Sequence, residues 1–409
     1  MEQAELQPLY DSYHRKIAKV DLRFKRYLYS RINWKARIIS IKGARGVGKT
    51  TMLLQHILEN YEDIDQTLYA SLDNLWFATH SLMDLVDWAD RHGISRLYLD
   101  EVHRYEGWSQ ALKNIYDDYP DMSIVYTSSS LLVLDNATVD MSRRQTPYTL
   151  YGLSFREYLD FKADCKLSRN ELLDEYIRFG GFPIVALGNY GAQSAYQIVD
   201  GIYHTVVSRD IVKRHRINRQ DLFDRVVKFV VENMGKTFSA NSIATFLKSE
   251  HRTISVESIY NYLRWLEQAF VIYPCERYDM QGKSILKTQE KYYLSDVSFK
   301  YALLGYNRKM LDGVLENIVF LELKRRGYEV FIGKNNTKEI DFVANRRDER
   351  VYVQVCVQLP EHSNREIGNL MEIRDHYPKY VVTLNELDAG IENGIRIVTL
   401  ADFLLSEQL

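Results

Sequence analysis

A glycine-rich stretch near the start of the chain restricts the fold more than any other part of the sequence. It consists of Gly43, Ala44, Arg45, Gly46, Val47, Gly48, Lys49 and Thr50, with the spacing G-x-x-x-x-G-K-[ST]. The apolar run 38–41 precedes it, and a helical pattern that starts at Thr51 follows. A strand that enters such a loop at the start of a helix presents backbone N–H groups to phosphate oxygens. The sequence therefore predicts a nucleotide-binding α/β domain; the alternative, an ordinary glycine-rich turn, is disfavoured by the flanking strand and helix.

The residue types in this stretch fit ATP bound with Mg²⁺. Gly43, Gly46 and Gly48 permit a close approach of the backbone to phosphate. Lys49 is expected to reach the β- and γ-phosphates as a cation, and the hydroxyl of Thr50 is expected to bind Mg²⁺. The predicted ATP-binding segment runs through Thr51.

A later apolar run, residues 95–99, ends in the acids Asp100 and Glu101. In P-loop enzymes an acid at the carboxyl end of such a strand holds the Mg²⁺ shell, and an adjacent glutamate can polarise the attacking water. We therefore assign Asp100 to the metal and Glu101 to the water. Strands and helices alternate through this region, which predicts a parallel sheet with right-handed crossovers.

The next strand-like run, residues 122–126, leads into the hydroxyl residues 127–130. Ser128 is the first candidate for sensing the γ-phosphate through the attacking water, and Thr127 is the second; a serine-rich turn that caps the next helix is the alternative. The polar stretch 135–147 is predicted to be a loop, and it contains Arg143 and Arg144. Either arginine could supply charge to the γ-phosphate of a neighbouring subunit, and a solvated arginine pair is equally compatible with the pattern.

Length and composition limit the remaining classes. A chain of 409 residues is expected to form roughly two or three domains. No run approaches the ~18 consecutive apolar residues of a membrane span, and the N-terminus does not have the pattern of a secretory signal, so a cytoplasmic location is expected. The three cysteines lack metal-binding spacing, and a net charge of −2 neither favours nor excludes nucleic acid.

Several stretches occur in an order that resembles a known family. They are residues 43–51, Leu99-Asp100-Glu101-Val102-His103, Thr127-Ser128-Ser129, Tyr151-Gly152-Leu153-Ser154-Phe155-Arg156-Glu157-Tyr158 and Gly180-Gly181-Phe182-Pro183. The combination resembles the prokaryotic AAA-type P-loop ATPases that carry a C-terminal domain of unknown function with a restriction-endonuclease-like core. The resemblance covers nearly the whole chain. It implies a helical lid over residues 154–216 and places Arg144 at the arginine that precedes Leu-Ser-Phe; Gly152 stands where the family usually has proline.

The region after the implied lid has the pattern of a winged helix-turn-helix. Helical segments that begin near Arg219, Ser239 and Ser255 are followed by two strand-like runs around Gly282. Ser258, Asn261 and Arg264 would face outward, as side chains do on a DNA-reading helix. Because only modest positive charge accompanies them, DNA contact, protein contact and a purely structural role all remain open.

The last part of the chain has the outline of the endonuclease-like core that the resemblance implies. An active member would have one acid on the second strand, then a second acid and a lysine on the third, because the metal needs two carboxylates and the lysine positions the hydroxide. Asp341 fits the first acid, but Gln354 and Cys356 stand at the other two positions. We therefore predict that the domain is catalytically inactive, although Glu316 could supply a carboxylate from another direction.

These patterns predict a division into four parts. They are a P-loop AAA-type ATPase core (1–150), a helical lid (151–217), a winged helix (218–300) and an inactive endonuclease-like α/β domain (301–409). The expected activity is Mg²⁺-dependent ATP hydrolysis coupled to a conformational switch, with DNA as one open target. The alternatives are a regulatory ATPase that acts on a protein partner and an ATP-gated nuclease. A homo-oligomer is compatible with the sequence, and no membrane association is expected.

Overall fold

The computed structural model describes residues 3–131, 141, 143–188, 190–307, 310–360 and 365–409. Most of the predicted loop 135–147 lies outside the described residues. The chain divides into two compact units, Met1–Leu150 with Gln268–Phe270 and Tyr151–Glu267 with Val271–Leu409. The predicted divisions at residues 217 and 300 lie inside the second unit and stay predictions.

The first unit is built on a parallel sheet. Its strands and longer helices are α1 (Gln3–Ile17), β1 (Ile38–Lys42), α2 (Lys49–Asn60), β2 (Leu68–Ser71), α3 (Leu82–Arg91), β3 (Arg96–Asp100), α4 (Trp108–Asp118), β4 (Ser123–Ser128) and β5 (Thr146–Thr149). The described strands lie in the order β2-β3-β4-β1-β5, and every pairing is parallel. The prediction of an α/β fold with a parallel sheet is therefore confirmed.

The sheet order explains how distant residues come together. Strands β1 to β4 are buried along most of their length, as expected for a parallel sheet between helices, whereas the edge strand β5 is partly exposed. Strand β4 lies between β1 and β3, with Lys42 opposite Ser128 and Leu99 opposite Tyr126. Because parallel strands end at the same edge, the glycine-rich loop, the two acids and the hydroxyl residues all lie at one edge of this sheet.

Two expectations for the first unit were wrong or incomplete. The sequence of residues 1–36 predicts a helical lead-in, but the α-helix there ends at Ile17. Beyond it, the carboxylate of Asp21 accepts a hydrogen bond from the N–H of Arg23 at 2.8 Å, a local turn that competes with helix formation. Strand β5 was not predicted, and it begins inside the expected loop. Pro147 is tolerated there because β5 is an edge strand that pairs with β1 alone among the described strands.

The second unit combines helices with a mixed sheet. Its helices are α5 (Phe155–Phe161), α6 (Arg169–Phe179), α7 (Pro183–Leu187), α8 (Ala192–Thr205), α9 (Gln220–Glu232), α10 (Ala240–Ser249), α11 (Val256–Gln268), α12 (Ser298–Leu304), α13 (Leu311–Arg325), α14 (Arg365–Met371) and α15 (Leu400–Leu405). Its strands are β6 (Ile272–Asp279), β7 (Ser284–Leu294), β8 (Glu329–Asn335), β9 (Lys338–Arg346), β10 (Glu349–Cys356), β11 (Lys379–Thr383), β12 (Gly390–Glu392) and β13 (Ile395–Thr399). Helix α8 continues through a π-helical segment, Val206–Val212, to His215. In the described ranges no helix has the length and apolar character needed to cross a bilayer.

The predicted wing is part of a larger sheet. Helices α9, α10 and α11 and the hairpin β6–β7 lie where the winged helix was predicted, and that assignment stays a prediction. Strand β6 also pairs in parallel with β8, so the hairpin continues the described sheet in the order β12-β13-β11-β10-β9-β8-β6-β7. The hairpin therefore shares one sheet with the strands that follow it, β8 to β13.

Two of the sequence stretches that carry the family resemblance are joined by a buried carboxylate in this unit. Gly180 has φ +73°, and a Cβ there would lie 1.7 Å from Oδ1 of Asp296. Asp296 accepts a hydrogen bond from the N–H of Gly181 at 2.8 Å, and burial raises its pKa. Arg325 donates to the carbonyl oxygens of Gly152 and Leu153 at 3.2 and 3.1 Å. The stretches around Gly152 and Gly180 therefore have a packing role within the second unit.

Candidate functional site

The loop between β1 and α2 needs glycine at defined positions. Gly43, Gly46 and Gly48 have φ values of +155°, +84° and +96°. A Cβ on Gly43 would lie 2.1 Å from the carbonyl oxygen of Leu150, so a larger residue cannot fit there without a shift of the backbone. Gly48 is the N-cap residue of α2, and it has no side chain with which to cap the first-turn N–H groups. The loop therefore leaves backbone donors for an anion at the start of α2.

Lys49 is folded back onto this loop. Its Nζ donates to the carbonyl oxygens of Gly43 at 2.8 Å and Ala44 at 2.9 Å, and the residue is 4% exposed. From the N-terminal segment, the buried Arg26 donates to the carbonyl of Val47. A phosphate oxygen carries negative charge, so it attracts the ammonium group of Lys49 more strongly than a neutral carbonyl oxygen does. Lys49 can therefore exchange its loop contacts for phosphate without leaving the site.

The two residues predicted to hold Mg²⁺ are in direct contact. Thr50 Oγ1 donates to Oδ2 of Asp100 at 2.7 Å. The hydroxyl of Tyr69 donates to the same oxygen at 2.8 Å, and Thr127 donates to the other carboxylate oxygen. Burial, and then the negative charge of Asp100, raise the pKa of Tyr69, which therefore stays a donor at neutral pH. Asp100 is thus a buried carboxylate held by three hydroxyl groups beside the start of α2.

Glu101 lies directly after β3 in the left-handed region, with φ +54°. Its N–H donates to Thr127 Oγ1 at 3.0 Å. Its Oε2 accepts a hydrogen bond from Ser129 Oγ at 2.7 Å and lies 3.4 Å from Nε2 of His103. Thr127 therefore contacts both acids, and Ser129 fixes the orientation of the second.

Of two further predicted residues, Ser128 lies beside the site, with its Oγ 3.5 Å from Nδ1 of His103, and Arg144 has other surroundings. Ser128 Oγ donates to the carbonyl of Ser130 at 2.9 Å and accepts from its N–H at 3.1 Å, which forms a local turn. Arg144 lies just before β5, at the end of the sheet where the strands begin, and its Nη2 is 3.4 Å from Oδ1 of Asp117. The structure does not bring Arg144 to the loop of its own chain. The roles predicted for Ser128 and Arg144 stay predictions.

Sequence reasoning missed Arg26, Tyr69 and Ser129. The signal for the hydroxyl residues is the strand register. Because β3 and β4 pair in step up to Leu99 and Tyr126, the next residues on each strand, Asp100 and Thr127, become neighbours. Arg26 has no local signal, since it approaches the loop from an irregular segment.

A second buried cluster of charged groups lies in the second unit. Lys291 Nζ on β7 is 3.2 Å from Oε2 of Glu316, 2.9 Å from Oε1 of Glu339 and 3.9 Å from Oδ1 of Asp341. Burial by itself would lower the pKa of Lys291, but the carboxylates of Glu316, Asp341 and Glu339 raise it above the usual value. Lys291 is therefore a permanent cation among carboxylates, and no local sequence pattern indicates that its strand approaches Asp341.

The positions predicted to inactivate this cluster lie beside it. Gln354 accepts a hydrogen bond from the N–H of Asp341 at 2.7 Å and donates to Glu366. Burial, and then the charge of Glu366, raise the pKa of Cys356 to about 12, so its thiol is neutral. Among the described residues no group of three or more His, Cys, Asp or Glu side chains is arranged to hold a metal ion.

Comparison with known proteins finds two family matches along the chain. Residues 35–159 match a family described as an AAA domain, and residues 170–309 match a domain of unknown function (DUF8612). Since the second match ends at residue 309, the endonuclease-like character of residues 301–409 stays a prediction. A Walker-type ATPase of Pyrococcus abyssi superposes with a TM-score of 0.51 at 14% identity, over 68% of this chain and 95% of that one, a likeness of fold.

Relatives of known sequence extend over most of the chain. Two uncharacterised proteins of Methanocaldococcus jannaschii are 29% and 25% identical, over 81% and 91% of this chain and 77% and 85% of their own lengths. An uncharacterised protein of Haemophilus influenzae is 32% identical over 377 residues, which are 89% of this chain and 93% of that protein. The chain therefore belongs to the family of this Haemophilus influenzae protein, a family of AAA-type P-loop ATPases.

Proposed function

We propose that the first unit binds ATP with Mg²⁺ at residues 43–51, hydrolyses it, and couples the hydrolysis to a conformational switch. The observation that carries the proposal is the 2.7 Å contact between Thr50 and Asp100 at the start of α2. A hydroxyl and a buried carboxylate at the mouth of a glycine loop form the protein side of a Mg²⁺-nucleotide site. When bound beside Thr50 and Asp100, Mg²⁺ would supply positive charge that offsets the charge of the phosphates.

The loop accounts for binding. The N–H groups at the start of α2 donate to phosphate oxygens, and Lys49 Nζ turns from the carbonyls of Gly43 and Ala44 to the β- and γ-phosphates. Arg26 holds the carbonyl of Val47, which keeps the loop in the shape that directs its N–H groups inward. Binding therefore requires few changes of the backbone.

Glu101 accounts for hydrolysis. Its carboxylate accepts a proton from the attacking water, while Ser129 and His103 hold its orientation. Thr127 connects the backbone of Glu101 to the side chain of Asp100, so the water and the metal side of the site are positioned together. Ser129 and Thr127 act as positioning residues through these carboxylates.

The proposal separates binding from turnover in two variants. Lys49→Ala should lose ATP affinity and hydrolysis together. Glu101→Gln should bind ATP as the wild type does and hydrolyse it about 10² to 10⁴ times more slowly, since it removes a general base. Glu106→Gln, an exposed change on the same loop, is the matched control and should behave as the wild type. Equal loss of ATP binding in Glu101→Gln would show that Glu101 has a different role.

The switch has its own test. Hydrogen exchange of Glu101→Gln with ATP should differ from that of the wild type with ADP at residues outside 43–51 and 100–130. Identical exchange in the two states would contradict coupling and leave hydrolysis intact.

Arg144 belongs in this proposal to the site of a neighbouring subunit in a homo-oligomer. Turnover per molecule should then rise with protein concentration, and Arg144→Ala should reduce turnover by up to about 10³ with little change in ATP affinity. Turnover that is independent of concentration, together with an unaffected variant, would remove Arg144 from the mechanism.

Two other functions were open from the sequence. A regulatory ATPase that acts on a protein partner shares the same site and differs only in its target. An ATP-gated nuclease has weaker support, because Gln354, the neutral Cys356 and the lysine-filled carboxylate cluster do not provide a metal site. Cleavage of DNA or RNA that persists in Lys49→Ala and disappears in Asp341→Ala would establish the nuclease.

A further inference from the structure

The segment 209–219 concentrates positive charge at the end of the long helix α8. It contains Arg209, Lys213, Arg214, Arg216 and Arg219. The side chains of these five residues are exposed, whereas Asp210, the acid within the segment, is buried. The whole chain carries a net charge of −2, so this positive charge is local to one surface.

This segment borders a cleft of about 400 Å³ that it shares with α11. Arg216 and Arg219 line one side, and Ser258, Asn261 and Trp265 of α11 line the other. The cleft is therefore walled by guanidinium groups on one side and by small hydrogen-bonding side chains with an aromatic ring on the other.

Contacts within the cleft show that positive charges of segment 209–219 and of α11 lie near the same side chain, His215. The ring of Trp265 stacks on His215 with a centroid distance of 4.3 Å. Burial, and then the positive charges of Arg214 and Arg264, lower the pKa of His215 to about 4. The imidazole is therefore neutral at pH 7, and positive charge from both segment 209–219 and α11 acts on it.

The exposed face of α11 carries amide, guanidinium and aromatic side chains, the types of group that contact nucleic acid bases. Asn261 Oδ1 accepts a hydrogen bond from Arg264 at 2.9 Å, and Tyr260 beside them is 59% exposed. The nearby acids are Glu257 and Glu267, both on α11, and Asp221. The carboxylate of Asp221 is paired with Arg252 at 2.9 Å and lies 4.0 Å from Nε of Arg219. Positive charge and amide groups therefore outweigh the acids on this surface.

We propose that residues 209–219 and the exposed face of α11 bind double-stranded DNA, with the basic segment on the phosphate backbone and α11 in the major groove. An α-helix fits the width of the major groove, where arginine and asparagine side chains pair with guanine and adenine edges. Arginine and lysine on an adjoining segment release counterions from the backbone, which supplies most of the affinity. The inference rests on the proposed function only in that it names the target of the switch.

The test measures binding of the full chain, without nucleotide, to a fluorescently labelled mixed-sequence duplex of about 30 base pairs in about 50 to 200 mM KCl. The variant combines Lys213→Gln, Arg216→Gln and Arg219→Gln. The control combines Lys166→Gln, Arg347→Gln and Arg374→Gln, which remove the same formal charge from exposed sites elsewhere in the second unit. Circular dichroism and thermal unfolding confirm that both proteins are folded.

The expected result is a loss of affinity of about tenfold or more in the variant at 100 mM KCl, against about twofold or less in the control. The slope of log affinity against log salt should fall by about two to three units, since each phosphate contact contributes about 0.9. Equal losses in variant and control, tighter binding of single-stranded DNA or RNA than of duplex, or no wild-type binding at about 50 mM KCl would overturn the inference.

One further variant separates this inference from the proposed function. Lys49→Ala should bind the duplex as tightly as the wild type while it loses ATP turnover. Wild-type protein that binds the duplex but does not hydrolyse ATP would contradict the ATPase proposal alone. Wild-type protein that hydrolyses ATP but does not bind the duplex would contradict this inference alone.

Discussion

One buried lysine lies at the predicted ATP site of the first unit and another lies beside Asp341 in the second unit, and the two lysines have different partners. Lys49 donates to the backbone carbonyls of Gly43 and Ala44. Lys291 lies among the carboxylates of Glu316, Glu339 and Asp341. The first lysine is held by neutral acceptors that a phosphate can replace, whereas the second compensates charges of the protein itself.

The two lysines show that the partners of a buried cation indicate its role. A buried charge is costly unless it is paired, so full pairing by carboxylates points to a structural role and pairing by exchangeable carbonyls points to a ligand. The loop around Lys49 also contains backbone N–H groups at the start of α2 that no side chain of Gly48 caps. In the cluster around Lys291, by contrast, the hydroxyl of Tyr293 donates a further hydrogen bond to Glu316 at 3.0 Å. The first unit is therefore built to receive a ligand, and the second cluster is built to hold β7 against α13 and β9.

The largest effect expected from this difference follows Lys291→Met. The change leaves buried carboxylates without their cation, which typically costs about 3 to 5 kcal/mol of unfolding free energy. Lys338→Met is the matched control, because Lys338 pairs with Glu372 at 2.6 Å on the surface and should cost less than about 1 kcal/mol. Urea unfolding of both variants measures the difference, and equal stability would mean that the cluster is not a structural ion pair.

A smaller loss is expected when the buried carboxylate of Asp296 is crowded. Gly180→Ala adds a Cβ that lies 1.7 Å from Asp296 Oδ1 at a positive φ, which should cost about 2 to 4 kcal/mol. Gly305→Ala also has a positive φ, but no described atom lies within 4 Å of its added Cβ, so about 1 kcal/mol is expected. Similar losses in thermal unfolding would show that the second unit tolerates repacking around Asp296.

In the first unit, Ser129→Ala should lower ATP turnover by about tenfold with little change in ATP affinity. It removes one hydrogen bond to the carboxylate of Glu101, which is worth about 1 to 2 kcal/mol for an ionised acceptor. Ser95→Ala, at the start of β3, is the control with wild-type turnover. A loss in Ser128→Ala larger than that in Ser129→Ala would favour Ser128 as the sensing residue instead.

The remaining prediction concerns pH. Burial, and then the charge of Glu316, raise the pKa of Asp341 well above its usual value. The folded protein therefore binds a proton more tightly than the unfolded chain. Between the unfolded pKa of about 4 and the raised folded pKa, its contribution to the unfolding free energy falls as pH rises, by up to about 1.4 kcal/mol per pH unit.

Asp341→Asn removes this dependence. The difference in unfolding free energy, variant minus wild type, should increase as the pH is raised from about 4 to 8. Urea unfolding across this range measures the gain. Parallel curves for the two proteins would show that Asp341 is not destabilised by its surroundings.

Local sequence patterns were sufficient to predict the parallel sheet, because each strand-like run ends at a turn and the segments between the runs have apolar residues at helical spacing. The loop residues, Asp100 and Glu101 were placed at one edge for the same reason. The roles of Tyr69 and Ser129 depended on the register between β2, β3 and β4, which no single segment encodes.

Contacts between distant segments could not be predicted. Arg26 reaches Val47 from an irregular stretch, and Lys291 reaches Glu316, Glu339 and Asp341 because the hairpin β6–β7 extends the sheet beside β8. Sequence alone showed the loss of the expected acid and lysine at Gln354 and Cys356. It could not show that a lysine on another strand lies among the remaining carboxylates.

Thermal unfolding with and without ATP and Mg²⁺ tests the contrast between the two lysines most directly. A ligand that binds only the folded protein raises the melting temperature. Lys49→Met should melt near the wild-type temperature without nucleotide and gain nothing from ATP. Lys291→Met should melt at a lower temperature and keep the wild-type gain. A normal ATP response in Lys49→Met, or a lost response in Lys291→Met without a lower melting temperature, would contradict the assignment of one lysine to the ligand and the other to the fold.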